Sequence, residues 1–229
     1  MTKRKRHAAA FEAKVALEAL KGEQTVAELA GSEPIDSRCS QGPARHTAEE
    51  VSCTMDQAKL VQFAAREAIR DCLYRYARGI DRADDDALRS SYWPDAYDSH
   101  GATSGPVSDF FERVHKAWAA GPRNIHHITN ILIDFQDAEH AVVESYFLAL
   151  QRNTGLDGVE RQVMLSGRYC DRFERRGGEW RVAHRIVVYD WVDQQPTPDA
   201  PEADRFGLRT PIGAPWPDDP IYKIGRSGS

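Results

Sequence analysis

Among the residues between positions 81 and 126 whose side chains can move protons, Asp81, His100 and His126 are the candidates for chemistry. A free imidazole titrates at about pH 6.5, so its neutral form can accept a proton at neutral pH. A carboxylate on the other ring nitrogen fixes the tautomer and stabilises the imidazolium that forms. General base catalysis of this kind contributes about 10²–10⁴-fold to a rate. The simpler alternative is that Asp81 only caps a turn and that each histidine is a satisfied core residue.

The residues around Asp81 predict helices. Apolar side chains repeat at helical spacing over residues 56–80, and a short helix over 84–92 ends at a proline. A third helix is predicted over 108–119, with three aromatic residues on its apolar face. We expect Gly79 to loosen the last turn of the first helix. Asp81 therefore lies at the end of the first long helix.

The region after these helices predicts long strands. Their residues are rich in β-branched and aromatic types, and two glycines make a hairpin turn before the last strand. Helices followed by a meander of strands indicate an α+β domain, a curved antiparallel sheet with helices packed over it. The predicted strands cover residues 96–100, 125–135, 141–152, 163–175 and 179–192.

Four segments together resemble the SnoaL-like branch of the nuclear transport factor two-like superfamily, whose members include scytalone dehydratase and hexachlorocyclohexane dehydrochlorinase. The segments read RGID, DALRSSYWPDAYDSHG, NIHHITN and DRFERRGGEWRVAHR, and they lie within roughly residues 60–193. The resemblance implies a cone-shaped fold in which a strongly bent antiparallel sheet and three N-terminal helices enclose a deep pocket.

The same resemblance implies a catalytic pair. In both named enzymes an aspartate at the end of the first long helix pairs with a histidine further along the chain. The aspartate matches Asp81. The histidine matches His126, because Ile125, His126 and Asn130 repeat the spacing of the dehydrochlorinase.

Five further residues are candidates for substrate binding, each with a departure or an alternative. His100 stands where scytalone dehydratase has a tyrosine that holds a water or polarises the substrate. Tyr146 stands where that enzyme has its second histidine; a phenol has a pKa of about 10, so it is a poor base. Tyr169 falls at a polar pocket position of the same enzyme. Tyr92 and Trp93 line or cover the pocket mouth, although plain core packing explains them equally well.

The expected function is that of a cofactor-independent lyase or dehydratase acting on a small hydrophobic, aromatic or cyclic substrate. Dehydration, dehydrohalogenation and retro-aldol deformylation all suit one cavity with one base. No cofactor is expected, because the sequence has none of the usual phosphate-binding or serine-nucleophile loops. No metal is expected either, since His126 and His127 are adjacent in a strand and face opposite sides. The alternative function is a non-catalytic cone that binds a small ligand or a partner.

The composition indicates a globular protein with no affinity for membranes or nucleic acid. Of its 229 residues, 41% are hydrophobic, and the net charge is −5. No apolar run approaches the roughly 20 residues that span a bilayer. The charge gives no basic surface for phosphates. The four cysteines form no CxxC pair, so we expect a reducing, cytoplasmic setting. From the resemblance we also expect a homo-oligomer, a dimer or a trimer.

Three regions are predicted along the chain. Residues 1–54 form an N-terminal extension, of which residues 1–31 resemble the start of a small helix-turn-helix protein of insertion-sequence transposases. The helix that would enter the major groove is replaced by a polar linker, so no DNA binding is expected. Residues 55–195 form the SnoaL-like domain. Residues 196–229 form a Pro/Gly-rich tail expected to wrap the surface.

Overall fold

The computed structural model describes residues 48–121, 123–155 and 157–224. The predictions made for residues 1–47 lie outside this part of the chain. Within it, no helix is both long and apolar enough to cross a membrane. The helices are α1 (Ala48–Arg82), α2 (Asp85–Arg89), α3 (Val107–Ala119) and α4 (Glu202–Phe206), and a 3₁₀ turn follows at Pro220–Tyr222.

Six strands form one curved, open sheet in the order β2-β1-β6-β5-β4-β3. The predicted α+β class is confirmed, but the sheet is mixed rather than wholly antiparallel, since β1 and β6 run parallel. The chain leaves β1 through β2 and α3 to the far edge, and the meander from β3 returns in the direction of β1. The strands are β1 (Tyr92–His100), β2 (Thr103–Pro106), β3 (Arg123–Phe135), β4 (His140–Thr154), β5 (Glu160–Arg176) and β6 (Glu179–Pro196).

The end of α1 is fixed by a left-handed cap and by close packing on α2. Asp84 donates its backbone N–H to Gly79 O at 3.0 Å, and Ala83 between them has a φ of 51°, the arrangement of a Schellman motif. A Cβ atom on Gly79 would lie 2.6 Å from the backbone nitrogen of Leu88. Gly79 therefore permits the contact between α1 and α2. This close packing is a role of Gly79 that the sequence did not indicate, and its effect on the last turn stays a prediction.

The core lies between the concave face of the sheet and the helices. Ile69, Leu73 and Tyr76 of α1 and Phe110 and Phe111 of α3 are all at most 6% exposed. Burying each large apolar side chain is worth about 1.5–3 kcal/mol. This packing holds the end of α1 against the sheet.

The C-terminal tail docks on the end of α1. Trp216 donates its backbone N–H to the carbonyl of Arg82, and Asp219 pairs with the Arg82 guanidinium at 3.2 Å. Tyr222 donates its hydroxyl to an Asp84 carboxylate oxygen at 2.9 Å. The tail thus lies on the surface beside the residue that follows Asp81.

Candidate active site

Asp81 and His126 meet at the junction of α1 and β3. The Nδ1 of His126 lies 2.6 Å from Oδ1 of Asp81, and the backbone N–H of His126 donates to Oδ2 at 2.8 Å. Their side chains are 11% and 8% exposed, respectively. A carboxylate that accepts from Nδ1–H leaves the lone pair on Nε2 of the neutral ring. The pair therefore has the geometry of a general base.

Asp81 needs these donors because of its place in the helix. It lies in the last turn of α1, where unpaired carbonyl groups carry a partial negative charge that opposes a carboxylate. The backbone N–H and the imidazole of His126 supply the compensating positive charge. The Asp81 carboxylate is thus bound by both the backbone N–H and the imidazole of His126. These two contacts fix the imidazole in position.

A cavity of about 340 Å³ adjoins the carboxylate, a volume within the range of small-molecule pockets, about 300–1,000 Å³. Its walls are the end of α1 at Asp81, Trp118 of α3, the start of β3 at Asn124 and Ile125, and residues 213–215 of the tail. Among the described residues, the His126 side chain does not line it. The tail therefore contributes one wall of this cavity.

The concave face carries a second group of polar side chains, which is fully buried. Asp98 of β1, Arg185 of β6 and Asp171 of β5 are neighbours across three strands, with side chains 0–2% exposed. Arg185 donates Nε and Nη2 to the two oxygens of Asp171, at 2.8 and 2.6 Å. Its guanidinium also lies 4.2 and 4.1 Å from the ring centroids of Tyr76 and Tyr169. The interior is thus less apolar than the sequence suggested.

Burial sets the protonation of these groups. It raises the pKa of Tyr76, Tyr92 and Tyr169 above the ordinary phenol value and that of the Cys72 thiol to about 12, so all four are neutral at physiological pH. Burial also raises the pKa of the Asp171 carboxyl, and Arg185 opposes the rise. The two N–H groups that Arg185 donates to Asp171 are the geometry of a charge-assisted bidentate pair.

Three of the candidate binding residues face the interior. His100 has a side chain 26% exposed, and its ring stacks on Phe110 at 5.1 Å. Tyr169 is buried and stacks on Phe147 at 4.6 Å. Tyr92 is also buried and donates its hydroxyl to Asp98 at 2.9 Å. Tyr92 is therefore part of the core and does not line a pocket mouth.

The other two candidates have different surroundings, and their roles in binding stay predictions. Tyr146 is 41% exposed on the convex face, because strand alternation turns its neighbour Phe147 inward. Trp93 donates its indole N–H to the carbonyl of Glu174 at 3.0 Å. Arg176 and Arg181 lie over its ring, 5.0 and 4.9 Å from the centroid. These contacts account for Trp93 without a ligand.

Sequence reasoning missed Asp98 and Arg185. The signal available was a charged residue inside a strongly apolar strand, as Arg185 is within EWRVAHRIVVYDWV. Buried charges are paired or functional, so such a residue is a candidate for either role.

Comparison with known proteins identifies the family. The family described as SnoaL-like domain matches residues 61–186. Hexachlorocyclohexane dehydrochlorinase 1 of Sphingobium indicum (strain DSM 16412 / CCM 7286 / MTCC 6364 / B90A) is 25% identical over 127 residues, which are 54% of this chain and 80% of that protein.

Solved structures show the same fold. A type 2 hexachlorocyclohexane dehydrochlorinase superposes with a TM-score of 0.55 at 22% identity, covering 63% of this chain and 98% of its own. A candidate scytalone dehydratase from Novosphingobium aromaticivorans superposes with a TM-score of 0.53 at 19% identity, covering 73% and 98%. The family match spans more than half of the chain and agrees with the resemblance read from the sequence, so this protein belongs to the SnoaL-like domain family.

Proposed function

We propose that this protein is a cofactor-independent lyase in which His126, oriented by Asp81, removes a proton from a small hydrophobic, aromatic or cyclic substrate. The observation that carries the proposal is the 2.6 Å contact between Nδ1 of His126 and the Asp81 carboxylate. Both side chains are nearly buried, where a carboxylate stabilises an imidazolium far more than it does in water.

The steps of the reaction follow from that geometry. Asp81 holds the Nδ1–H, and the lone pair on Nε2 of His126 takes a proton from a substrate carbon. The electron pair of the broken C–H bond forms a carbon–carbon π bond, and the bond to the leaving group on the neighbouring carbon breaks. In a retro-aldol reaction the same base takes a hydroxyl proton, and the O–H electron pair becomes the C=O bond of formaldehyde. The electron pair of the broken carbon–carbon bond stays on the other carbon, which takes the proton back from His126.

The relatives support the same reaction class. Hexachlorocyclohexane dehydrochlorinase 1 is named for the loss of hydrogen chloride, which is an elimination started by a base. Dehydration is an elimination of the same kind with a hydroxyl group as the leaving group. Either reaction needs a positioned base, and the Asp81–His126 pair meets that requirement.

The test is replacement of His126 with glutamine, with His127→Gln as the matched control on the exposed side of the same strand. Two probes lead to the same product: 3-chloro- and 3-hydroxy-1-phenylpropan-1-one, which both eliminate to phenyl vinyl ketone. We expect His126→Gln to lower kcat by about 10²–10⁴-fold on the probe that is turned over and His127→Gln to leave it unchanged. Unchanged kcat in a folded His126→Gln variant would show that His126 is not the base.

The second candidate function is ligand binding without turnover. The observation in its favour is that the 340 Å³ cavity adjoins Asp81 but is not lined by the His126 ring among the described residues. This reading predicts that aromatic ketones bind with the same affinity to the wild type and to His126→Gln and that no product forms. Calorimetry on both proteins, run beside the turnover assay, separates the two functions.

A further inference from the structure

The buried polar groups on the concave face include two carboxyl groups and a guanidinium. Arg185 on β6 lies between Asp98 on β1 and Asp171 on β5, and it donates to Asp171. When both carboxyl groups are ionised, this group of three carries one more negative charge than positive, and a buried charge without a partner is strongly unfavourable. His100, two residues after Asp98 on β1, can supply a positive charge beside Asp98.

Asp98 has one satisfied oxygen and one that has no hydrogen bond. Its Oδ2 accepts from the Tyr92 hydroxyl at 2.9 Å. Its Oδ1 is buried without a hydrogen-bond partner, and Nδ1 of His100 lies 3.5 Å from it. That Nδ1 is itself buried without a hydrogen-bond partner. The two free atoms face each other, and a small closure would join them.

The ring of His100 is held in place but remains accessible. It stacks on Phe110 at 5.1 Å with an interplanar angle of 20° and meets the edge of Tyr189 at 6.3 Å. The side chain is 26% exposed although Nδ1 is buried. The accessible part is therefore the side of the ring that faces away from Asp98, where Nε2 lies.

His100 and His126 belong to the same face of the sheet. Ile128, the next inward residue after His126, pairs with Phe147. The ring of Phe147 lies 6.1 Å from that of Tyr189, and Tyr189 contacts His100. The concave face thus carries two carboxylate–imidazole pairs, with an apolar aromatic strip between them.

We propose that His100 is the general acid of the reaction, that Asp98 is its positioning residue, and that the substrate therefore loses an oxygen leaving group. This rests on the proposed function of His126. His126 takes the carbon-bound proton, the C–H electron pair becomes the π bond, and the C–O pair leaves with oxygen. The His100 imidazolium gives its proton to that oxygen, and water departs. His126 ends protonated and His100 neutral, and exchange with solvent restores both.

The leaving group is what distinguishes this assignment from base catalysis alone. Hydroxide is a poor leaving group and departs as water only when a proton is supplied, whereas chloride departs as a stable anion without one. A general acid is worth about 10²–10⁴-fold where protonation is needed. The inferred substrate class is a β-hydroxy carbonyl compound or a hydroxylated ring with an acidic neighbouring C–H.

The experiment uses the two probes that share a carbon acid and a product and differ only in the leaving group. The variants are His100→Gln and Asp98→Asn. The matched control is His140→Gln, which removes the histidine of an exposed Asp–His pair at the β3–β4 turn. We expect His100→Gln to lower kcat on the 3-hydroxy ketone about 10²–10³-fold more than it lowers kcat on the 3-chloro ketone. Asp98→Asn should show the same selectivity with a smaller loss, and free imidazole should rescue His100→Ala on the hydroxy ketone alone.

Each outcome decides between the assignments. An equal loss on both probes in His100→Gln, or no loss on the hydroxy ketone, overturns the role of His100 as an acid and leaves His126 as the base. If the wild type turns over only the chloro ketone, the role of His100 as an acid is also overturned and His126 remains the base. If His126→Gln is fully active on both probes, the proposed function fails instead. Should Asp98→Asn not fold, His100→Gln, whose side chain is partly exposed, still decides the question.

Discussion

The carboxylate of Asp81 lies in a helical turn that opposes its charge, and His126 compensates for this with two donors. A single substitution at His126 therefore changes both the base and the environment of the carboxylate. His126→Gln keeps the backbone N–H donor, so it isolates the chemical role of the imidazole better than a truncation of Asp81 does.

Ala83 gives a prediction about stability that is independent of the reaction. Its φ of 51° lies in the left-handed region, which costs a residue with a Cβ about 1–2 kcal/mol. Glycine avoids that cost, but its unfolded chain is more flexible, and this lowers the free energy of unfolding by about 0.4–1 kcal/mol. We expect Ala83→Gly to raise the free energy of unfolding by about 0.5–1 kcal/mol in urea denaturation. Ala87→Gly, inside α2, should instead lower it by about 1 kcal/mol, and equal effects of the two would contradict the capping argument.

Substitution of Arg185 is predicted to lower the stability, in contrast to Ala83→Gly. Removing its charge leaves Asp171 and Asp98 buried without their counterion, and breaking a buried pair costs about 3–5 kcal/mol. We therefore expect Arg185→Met to lower the free energy of unfolding by that amount, measured by chemical denaturation. Adding Asp171→Leu to the same chain should recover part of the loss. A double variant that is less stable than the single one would show that the pair is not coupled as argued.

The resemblance to the SnoaL-like family located the Asp81–His126 pair, because the RGID and NIHHITN segments match the positions of the family's aspartate and histidine. A bulge in the strand β6 explains why the buried group of Asp98, Arg185 and Asp171 was not predicted from the sequence. Its register shifts between His184 and Val182, so Ala183 is an extra residue in the ladder. Trp180 and Val182 point inward before this bulge, and Arg185 points inward after it. Simple alternation would have placed His184 inside and Arg185 outside, and periodicity alone does not reveal a bulge.

The composition of the strand β4 sets a second limit on what the sequence can predict, namely which face of the strand is buried. Its inward side chains include Val143 and Phe147, but its outward ones include Val142, Tyr146 and Leu148. Both faces are apolar, so the usual contrast between a buried and a wet face is missing. The position of Tyr146 on the convex face could therefore not be predicted from the pattern of β4.

The tail is the element whose docking responds to pH. The Asp219 carboxylate accepts the backbone N–H of Ala214 and of Ile221, both at 3.0 Å, and pairs with Arg82. The two backbone donors and then Arg82 hold its pKa below the usual value. Because the pKa is lowered on folding, this contribution to stability is complete above about pH 4 and is lost as the pH falls below it.

We expect Asp219→Ala to release the tail at neutral pH and to speed hydrogen exchange at the Trp216 amide about tenfold, from a loss of about 1–2 kcal/mol. Asp218→Ala is the matched control, since that neighbouring side chain is 80% exposed. Acidification of the wild type below pH 4 should reproduce the effect of Asp219→Ala. Equal exchange in both variants would show that Asp219 does not hold the tail.

At the scale of the molecule, the cavity beside Asp81 joins parts of the chain that are far apart in sequence. The family match ends at residue 186, whereas residues 213–215 form part of the cavity wall. The scaffold that holds the Asp81–His126 pair is therefore shared with the family, and one wall of the cavity comes from outside the matched region. This is the part of the site that patterns within the domain could not predict, because it depends on long-range docking of the tail.

The expected homo-oligomer remains a prediction, and the convex face of the sheet is where we expect a second copy to bind. Leu148, Leu150 and Trp191 are 36%, 36% and 63% exposed, and a contiguous apolar surface of this kind is typical of an interface. The polar cluster beside it contains both positive and negative charges, since Arg168 contacts Glu144 and Asp190. Two copies of this face can therefore exchange ion pairs.

Light scattering after size exclusion should give a mass that is a multiple of 25.7 kDa. Trp191→Glu should weaken association at least about tenfold, a loss of ~1.4 kcal/mol, whereas Leu208→Glu, on the tail and 76% exposed, should not. A wild-type protein that is monomeric at every concentration would show that the prediction was wrong.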